Sequence, residues 1–413
     1  MPRLLLLLPT RTYRTPALLD AAARCGVEIT VASEEDSSVG HLNPAGFLTL
    51  PFSDPTACVA PVLAFHKRYP IDAVIGIDDS VVEASAAVAR ALGLPSNDPD
   101  AVATARDKTR SRRALQEAEV PCPRSELRDF DGDDGSWKQS SRFPAVVKPL
   151  SLSASRGVMR VDSEEEFSVA VSRLRALLES EECGTDPGFL FEEFVEGAEV
   201  AVEGLLRDGQ LEVLAIFDKP EPLDGPFFEE SIYVTPSGLE TDLADRVIEV
   251  CGEACEALGL LEGAVHIEVR VGPDGPVVIE VNPRAIGGLC GDVLRFGTGV
   301  TLEEILLHHA LGDRAPLPER ETQAAGVLML PVGGGGRLQS VEGVEAAEAV
   351  PGVVRVAITA HTGQQLTAWP EGGAYPGFVF ARCETSQEVV RALQAAREEM
   401  TLVYAKGPGE IQE

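Results

Sequence analysis

The segment from Ala264 to Arg284 reads AVHIEVRVGPDGPVVIEVNPR, with β-rich runs on both sides of a Gly-Pro-Asp-Gly turn signal at 272–275. This pattern predicts an antiparallel hairpin with its apex at Asp274. Side chains alternate between the two faces of a strand, so the hairpin is expected to have one polar and one apolar face. The polar face carries two opposed pairs, namely His266 with Asn282 and Glu268 with Glu280. The apolar face is predicted to carry Val265, Ile267, Val269, Ile279 and Val281.

The opposed carboxylates are the most informative feature of this hairpin. Like charges directly across a strand pair repel each other unless a cation lies between them. Carboxylate and amide oxygens are ligands of hard divalent cations, and Mg²⁺ bridging to phosphates is the usual case. We therefore predict a Mg²⁺ site, open also to Mn²⁺, with Glu268, Glu280 and Asn282 as ligands; a solvated acidic face is the alternative. Arg284, just beyond the second strand, is predicted to clamp a phosphoryl group or a carboxylate.

A second candidate anion-binding region lies upstream of the hairpin. The segment FPAVVKP places Lys148 at the end of a buried strand, where an ammonium group needs an anionic partner. The next loop, 151–157, is small and hydroxyl-rich, and it is either a phosphate cradle or a plain surface turn. The segment 189–204 has apolar residues around Glu192 and Glu193; it suits an adenine ring, although an ordinary strand would look the same.

Composition excludes several classes of partner. A chain of 413 residues suggests about two to four domains. Its 66 acidic and 35 basic residues give a formal charge of −31, which argues against a nucleic-acid partner. No apolar stretch approaches the roughly 18 residues of a membrane span, and the run Leu4–Leu8 is shorter than a signal-peptide core. We expect no membrane partner. The eight cysteines contain no CxxC and are predicted to be reduced thiols of a cytoplasmic protein.

The order of strands and helices divides the chain. The first hundred residues alternate the two, which is typical of a parallel, doubly wound α/β sheet, but no GxGxxG follows the first strand. A polar helical stretch, 98–118, and a loop rich in Asp, Gly and Ser, 129–141, come next. Runs of strands broken by helices predict α+β structure in the middle of the chain and a small α+β domain at its end. The glycine run 333–336 is predicted to be a hairpin connection.

The order of the motifs resembles that of the ATP-grasp superfamily. The resemblance rests on the following features in this order: Asp107-Lys108, VVKP with Lys148, the small-residue loop, EEFVEGAE from Glu192 to Glu199, and then Glu268, Glu280, Asn282 and Arg284. The following NPRAIGG is most similar to the L-amino-acid ligase and biotin-carboxylase-like branch of carboxylate–amine ligases. The resemblance covers residues 4–311 and extends more loosely to the tail. It implies a Rossmann-like pre-ATP-grasp domain (1–105), a small ATP-grasp subdomain (106–188), a large subdomain with the metal site (189–320) and an amino-acid-ligase-like C-terminal domain (321–413).

The resemblance also implies roles for single residues. Contacts to ATP would come from Lys108 and Lys148 at the phosphates, Glu192, Glu193 and Val195 at adenine, and Glu199 at the ribose. Glu268, Glu280 and Asn282 would hold Mg²⁺, and the catalytic pair would be Arg284 and Lys148. Family members often carry three or more glycines in the phosphate loop, whereas this loop has only Gly157. The hydroxyls of Ser153 and Ser155 are expected to replace some contacts, and Arg156 is a candidate substrate contact.

The implied activity is the ATP-dependent joining of a carboxylate, activated as an acyl phosphate, to an amine. An amino acid is the expected substrate, ADP and phosphate the by-products, and a homodimer is left open. The alternatives are a purine-pathway or bicarbonate-using ATP-grasp enzyme and, from another class, a nucleotide-binding module without turnover. The segment 217–233 is predicted to be a recognition loop outside regular structure, in which Glu229 or Glu230 meets a substrate ammonium group; an ordinary acidic loop is the alternative.

Three smaller expectations concern His266, the residues that follow the hairpin, and two histidines of a later helix. His266 is expected to touch the substrate or to order its neighbours. Gly287, Gly288 and Leu289 are expected to border the pocket of the accepting amine. His308 and His309 lie on an amphipathic helix over 302–311 and are expected to be structural.

Overall fold

The computed structural model describes residues 1–10, 12–38, 40–130, 142–180 and 187–405. Cys183 and most of the loop predicted over 129–141 lie outside these ranges. The other seven cysteines are free thiols. No helix within the described ranges is long and apolar enough to span a membrane.

The N-terminal region alternates strands and helices. Its elements are β1 (Arg3–Leu7), α1 (Thr15–Cys25), β2 (Glu28–Ser33), β3 (Phe47–Thr49), α2 (Pro55–His66), β4 (Ala73–Gly76) and α3 (Val82–Leu92). The strands form a parallel sheet in the order β3-β2-β1-β4. Leu5 and Leu7 pack with residues of α2 and α3, whereas Leu4 and Leu6 pack with residues of α1. Helices therefore cover both faces of the sheet, which explains the unbroken leucine run of β1.

The polar stretch predicted as one helix over 98–118 is two helices, α4 (Pro99–Arg106) and α5 (Lys108–Glu117). Asp107 interrupts it, because its backbone is extended and its carboxylate accepts hydrogen bonds from the amides of Thr109 and Arg110. This is an N-cap, which starts a new helix in place of continuing the old one. Lys108 is consequently the first residue of α5.

A small antiparallel sheet follows. It contains β5 (Ser125–Asp129), β6 (Ala145–Pro149), β7 (Met159–Val161) and β8 (Gly188–Glu193) in the order β5-β8-β6-β7, with α6 (Glu164–Ser180) packed against it. The predicted boundary at 188/189 is wrong by one strand, since β8 pairs with β5 and β6. The pattern of apolar residues in β8 does not indicate whether this strand joins the small sheet or the larger sheet that follows.

A larger sheet runs through the rest of the chain. The elements up to residue 310 are β9 (Ala198–Arg207), β10 (Gln210–Asp218), β11 (Ile232–Thr235), α7 (Thr241–Ala257), β12 (Gly263–Gly272), β13 (Gly275–Asn282), β14 (Arg295–Phe296), β15 (Val300–Thr301) and α8 (Leu302–Ala310). Of these, strands β9 to β13 belong to the larger sheet. Helix α7 buries its apolar side against β9, β12 and β13. The short strands β14 and β15 pair with each other, and Phe296 of β14 also forms an isolated bridge with Arg320.

The C-terminal region continues this sheet. Its elements are β16 (Ala324–Met329), β17 (Gly336–Glu342), α9 (Val344–Glu348), β18 (Val353–Ile358), β19 (Gln365–Leu366), β20 (Gly377–Cys383), α10 (Ser386–Glu399) and β21 (Thr401–Tyr404). The eight-stranded order is β13-β12-β9-β10-β11-β16-β20-β18, so the predicted boundary at 320/321 does not separate two sheets. The predicted hairpin at 333–336 is also wrong, because β16 and β17 lie in different sheets and β17 pairs with β19 and β21.

The hairpin of β12 and β13 has the predicted register at its polar end. His266 faces Asn282 and Glu268 faces Glu280. Nearer the turn the prediction is wrong, since Gly272 pairs with Gly275 and an irregularity follows Glu268, so Val269 faces Val278. The turn is one residue tighter than an apex at Asp274, and a bulge absorbs the difference. As a result Val278 replaces Ile279 in the core.

Candidate active site

The polar face of the hairpin opens into a cavity of about 1010 Å³. Glu268, Glu280 and Asn282 all line this cavity, and Arg284 borders it. The three side chains offer two carboxylates and one amide, which are the hard oxygen donors that Mg²⁺ prefers. The donor set predicted for a metal therefore lies together, and its chemistry fits a divalent cation. Because Thr10, Tyr13 and Tyr375 also line this space, we refer to it as the wide cavity.

A second cavity is lined by eight of the nine residues predicted to bind ATP. They are Lys108, Lys148, Ser153, Ser155, Glu192, Glu193, Val195 and Glu199. Apolar groups that suit an adenine ring are also present, namely Val146, Phe194, Phe228 and Ile279. The ninth residue, Gly157, lies at the end of the loop, where an added Cβ would come within 2.8 Å of Leu174. We refer to this space as the nucleotide cavity.

The two cavities meet at one place. The residues that line both are Ser153, Ala154, Ser155, Glu230, Glu268 and Glu280. Lys108 reaches the same place from α5, donating to the carbonyl oxygen of Leu152 at 2.8 Å and lying 3.8 Å from Glu280. A phosphate in the nucleotide cavity and a small molecule in the wide cavity would thus come together at carboxylates, a lysine and the 151–157 loop.

Glu192 is fully buried and anchors the nucleotide cavity through an ion-pair network. Arg112 donates to it at 2.6 Å, and the ammonium group of Lys148 lies 2.7 Å from its other oxygen. Burial alone would raise the pKa of Glu192, but the two cations outweigh burial and lower it to about 2. Arg112 also donates to the carbonyl of Ile279 at the bulge. The predicted anionic partner of Lys148 is therefore a carboxylate of the protein itself.

We expect Glu192→Gln to be less stable at pH 7 by about 3–5 kcal/mol, because it leaves two buried cations without a counter-charge. The pKa of the folded state, about 2, is below the unfolded value of 4.5, so the carboxylate contributes on the order of 3 kcal/mol above about pH 4.5. This contribution is lost as the pH falls towards 2. Urea unfolding at pH 7 and at lower pH should show the gap between variant and wild type narrowing on acidification.

The neighbouring Glu193 provides the matched control. Its partner Arg124 is largely exposed, so Glu193→Gln should cost less than about 1 kcal/mol. A gap for Glu192→Gln that stays constant with pH, or that does not exceed the gap for Glu193→Gln, would contradict the assignment.

Lys219 is the residue of this site that the sequence analysis missed. It is buried, lies 2.7 Å from Glu199 and 3.5 Å from Glu268, and also contacts Glu230. Burial disfavours its charged form, but the three carboxylates raise its pKa well above the usual value. A signal was present in the sequence, because FDKP repeats the arrangement of VVKP, a lysine before proline at the end of an apolar strand.

Glu199, Glu230 and Glu268 are the only group of three Asp, Glu, His or Cys side chains in the described ranges whose ligand atoms lie close enough together to hold a metal ion. Only Glu268 belongs to the predicted metal set. Glu199, predicted to bind ribose, accepts instead from Lys219 and from Arg270 at 2.9 Å. Because the ammonium group of Lys219 lies among these carboxylates, the cluster already contains its own cation.

His266 is buried between two carboxylates. Its Nδ1 lies 3.2 Å from Glu203 and its Nε2 lies 3.8 Å from Glu268. Burial lowers its pKa, but the two glutamates outweigh burial and raise it to about 9. Glu203 also accepts from the amide of Ile286 at 3.1 Å. His266 also lines the wide cavity, so both of its predicted roles stay predictions.

Arg284 is fixed by the N-terminal domain. Its guanidinium donates to both oxygens of Asp79, at 2.9 and 2.7 Å, and Arg106 lies 3.0 Å from the same carboxylate. Burial would raise the pKa of Asp79, but Arg284 and Arg106 lower it to about 2. Asp79 thus orients the side chain of Arg284, the catalytic candidate. No local sequence pattern indicated this role of Asp79.

Residues 219–231 lie outside helices and strands, as predicted, apart from an isolated bridge at Phe227. Strand β10 ends at Asp218, Tyr233 lies in β11, and the side chains of Phe217 and Tyr233 are buried. Glu229 accepts from the amide of Val332 at 3.1 Å, and Glu230 contacts Lys219 and accepts from the hydroxyl of Tyr233 at 2.8 Å. A substrate ammonium group would therefore have to compete with Lys219 for Glu230.

The glycines after the hairpin line the wide cavity, but the next residue does not. Gly287 and Gly288 border the cavity, whereas Leu289 packs against the core beside it. His309 is buried, accepts from the amide of Gly263 at 3.2 Å, and its burial lowers its pKa to about 4. His308 is exposed. Neither histidine lines the wide cavity.

Three domain families match the chain in the order that the fold shows. The ATP-grasp N-terminal domain matches residues 19–96, the ATP-grasp domain matches 141–293, and the L-amino acid ligase C-terminal domain 2 matches 328–405. The chain belongs to the ATP-grasp superfamily. The C-terminal match is to a domain of the L-amino-acid ligases, in agreement with the resemblance of the NPRAIGG motif.

Curated ATP-grasp relatives include named ligases. Alanine–anticapsin ligase from Bacillus amyloliquefaciens is 26% identical over 279 residues, which are 63% of this chain and 58% of that protein. Carnosine synthase 1 from Gallus gallus is 31% identical over 277 residues, 63% of this chain and 30% of that protein. The chain thus spans about three fifths of the length of the first of these relatives and under a third of the second.

Solved structures of the ATP-grasp fold match over nearly the whole chain. The L-amino acid ligase from Bacillus licheniformis has a TM-score of 0.80 and 26% identity, covering 98% of this chain and 99% of that one. Carboxyaminoimidazole ribonucleotide synthase from Aspergillus clavatus, complexed with ATP, has a TM-score of 0.73 at 16% identity, covering 96% and 98%. At that identity the second match bears on the fold alone.

Proposed function

We propose that this ATP-grasp chain is a ligase that activates a carboxylate as an acyl phosphate and joins it to an amine, with an amino acid as substrate. The observation that carries the proposal is the meeting of the nucleotide cavity and the wide cavity at Glu268, Glu280 and the 151–157 loop. Phosphoryl transfer needs the two reactants in line and charge-neutralising groups around them. The similarity to L-amino acid ligase and to alanine–anticapsin ligase supports the same activity.

In this mechanism the adenine lies among the apolar groups of the nucleotide cavity, with the backbone of Glu193 and Val195 at its edge. Lys108 and Lys148 balance the phosphate charge. Glu268, Glu280 and Asn282 would hold Mg²⁺, which when bound would act as a Lewis acid and neutralise phosphate charge. Transfer of the γ-phosphoryl group to a carboxylate oxygen leaves ADP.

The second step takes place on the wide-cavity side. Arg284, aimed by Asp79, stabilises the negative charge on the acyl phosphate while the amine attacks its carbonyl carbon. The C–N bond forms, the C–O bond to phosphate breaks, and the proton lost by the amine passes to the released phosphate. The 151–157 loop keeps water from the intermediate. Lys219 adds a fixed positive charge beside Glu268 and Glu230.

The finer assignments are part of the same proposal. We infer a Rossmann-like N-terminal domain that binds no dinucleotide, and a small subdomain that ends after β8. The large subdomain and the C-terminal region share one sheet. ATP and Mg²⁺ are the proposed cofactor set, with Mn²⁺ as a substitute, and the proposed partners are small-molecule carboxylates and amines.

The test is phosphate release from Mg-ATP against a panel of amino acids, singly and in pairs, with mass spectrometry of the product. Release that requires amino acids and yields a dipeptide or amide establishes the ligase. Release that depends on bicarbonate, with no amino-acid dependence, would replace the proposal by a carboxylase-like reaction. Nucleotide binding without turnover under any condition would indicate a binding module.

Gly287 is expected to set the size of the side chain that the wide cavity accepts. An added Cβ there meets nothing within 4 Å, and its backbone is not left-handed, so Gly287→Ala should fold normally. The methyl group takes cavity space, and a misfit of one methyl group is worth about 10-fold or more in kcat/KM. We expect loss of the bulkier substrates and little change for the smallest, measured across the panel.

Gly288 is the matched contrast. Its φ is +59° and an added Cβ would lie 3.1 Å from the ring of Phe378. Gly288→Ala should therefore lower stability by about 1–2 kcal/mol, with similar effects on all substrates. Equal losses for large and small substrates in Gly287→Ala would refute its role in specificity.

A further inference from the structure

The phosphate loop holds two residues in a conformation that favours glycine. Ala154 and Ser155 both have φ of +55°. A residue with a Cβ pays free energy in this left-handed region, and such residues persist only where the surroundings hold them. The loop closes locally through the amides of Arg156 and Val158, which donate to Ser153 and Ser155 at 3.2 Å. These two bonds are internal to the segment, and its start is tied to α5 by Lys108, which donates to the carbonyl of Leu152 at 2.8 Å.

Contacts from the C-terminal region support residues 154–157 of the loop. We define the latch as residues 369–373. The indole Nε1 of Trp369 donates to the carbonyl of Ala154 at 3.2 Å, and the amide of Gly157 donates to the carbonyl of Pro370 at 2.7 Å. Arg156 donates from Nε to the carbonyl of Glu371 at 3.0 Å. Three consecutive residues of the latch thus bind three residues of the loop.

The latch is itself rigid. Trp369 is 5% exposed and belongs to a core cluster with Val332, Leu338 and Leu366. Its ring lies 5.0 Å from that of Tyr375. Glu371 is held by Arg173 of helix α6, at 2.8 Å from Nη2. A buried indole with one N–H directs a hydrogen bond with little loss of freedom.

Both the loop and the latch carry glycines at positions that leave no room for a Cβ. Gly157 has φ of +70° and would clash with Leu174 if it had a Cβ. A Cβ on Gly373 would lie 2.4 Å from Cδ of Arg156, and one on Gly372 would lie 1.9 Å from the carbonyl oxygen of Thr367. Gly373 thus leaves room for the side chain of Arg156, whereas Ala154 and Ser155 hold left-handed conformations without being glycine.

We propose that Trp369 is a positioning residue that holds the glycine-poor phosphate loop in its nucleotide-binding conformation. The protein thereby obtains from its C-terminal region the loop shape that glycines would provide locally. Trp369 touches no reacting atom and acts through the carbonyl of Ala154. The inference rests on the proposed function in one respect, that the nucleotide phosphates lie under this loop.

The test compares variants in binding of a non-hydrolysable ATP analogue with Mg²⁺, measured by calorimetry without any amino acid. Trp369→Phe keeps an aromatic ring in the core and removes the N–H donor, and it should weaken binding about 3- to 10-fold, as expected for one hydrogen bond. Adding Ala154→Gly and Ser155→Gly to Trp369→Phe should restore affinity to within about 2-fold of wild type. Glycine adopts the left-handed conformation without help from the Trp369 hydrogen bond.

Tyr404→Phe is the matched control. The Tyr404 hydroxyl donates to the carbonyl of Val332 in the same core cluster and does not reach the loop. It should leave nucleotide affinity unchanged. Equal weakening by Trp369→Phe and Tyr404→Phe, or a failure of the glycine pair to restore affinity, would overturn the proposal.

A second readout separates this inference from the proposed function. Trypsin cleaves after Arg156, so the rate of cleavage there in the ligand-free protein reports opening of the loop. Trp369→Phe should be cut at least about 3-fold faster than wild type, and Tyr404→Phe should not. A wild-type protein that binds no nucleotide would overturn the proposed function, while cleavage rates alike in all three proteins would overturn the role of Trp369.

Discussion

Glu280→Gln is expected to lower amino-acid-dependent phosphate release by about two to three orders of magnitude. Glu280 lines both cavities and faces Glu268 across the hairpin. A metal that bridges phosphates stabilises the transition state by several kcal/mol, and about 1.4 kcal/mol corresponds to each factor of ten in rate. The amide has the same size but no charge, so the site would hold Mg²⁺ less tightly. The Mg²⁺ concentration for half-maximal rate should rise as kcat falls.

Asp274→Asn provides the control on the same hairpin. Asp274 is exposed at the turn, away from both cavities, and loses the same charge. Its rate and Mg²⁺ requirement should match those of wild type. Glu280 is partly exposed and its nearest cation, Lys108, is 3.8 Å away, so neither change should unfold the protein. Phosphate release by Glu280→Gln within about 3-fold of wild type would remove Glu280 from the proposed metal site.

The polar end of the hairpin was predictable because strand alternation and a turn signal are local. Glu268 and Glu280 face each other, as the sequence predicted. The turn end was not predictable, because a two-residue turn with a bulge and a longer turn without one share the same letters. The error exchanged Ile279 for Val278 in the core, and the carbonyl of Ile279 at this bulge is the acceptor for Arg112.

Contacts between distant segments account for most of what the sequence did not show. Asp79 and Arg284 are 205 residues apart, and Trp369 and Ala154 are 215 apart. A single sequence states which residues exist but not which strands become neighbours. β8 illustrates this, since its pattern fits either sheet and only its pairing with β5 and β6 assigns it. The shortage of glycine in the phosphate loop was visible, but its compensation by the C-terminal region was not.

Asp79→Asn is expected to lower both stability and turnover. The carboxylate is buried and balances two guanidinium groups, those of Arg284 and Arg106. Removing one partner of a buried pair costs about 3–5 kcal/mol, because the remaining charges stay buried without compensation. Asparagine can accept one hydrogen bond from Arg284 but cannot hold it bidentately. Loss of such an orienting group typically lowers activity about 10- to 100-fold.

The stability and rate effects can be separated by experiment. Asp100→Asn removes the carboxylate of an exposed pair with Arg110 and should cost less than about 1 kcal/mol, with normal turnover. The kcat of Asp79→Asn should be measured at a temperature where circular dichroism shows the variant fully folded. If the folded variant turns over at the wild-type rate, Asp79 contributes to stability alone, and Arg284 keeps its catalytic orientation without Asp79. If kcat falls while the KM for ATP is unchanged, the loss lies on the side of the acyl phosphate, where the N-terminal domain aims Arg284 into the wide cavity.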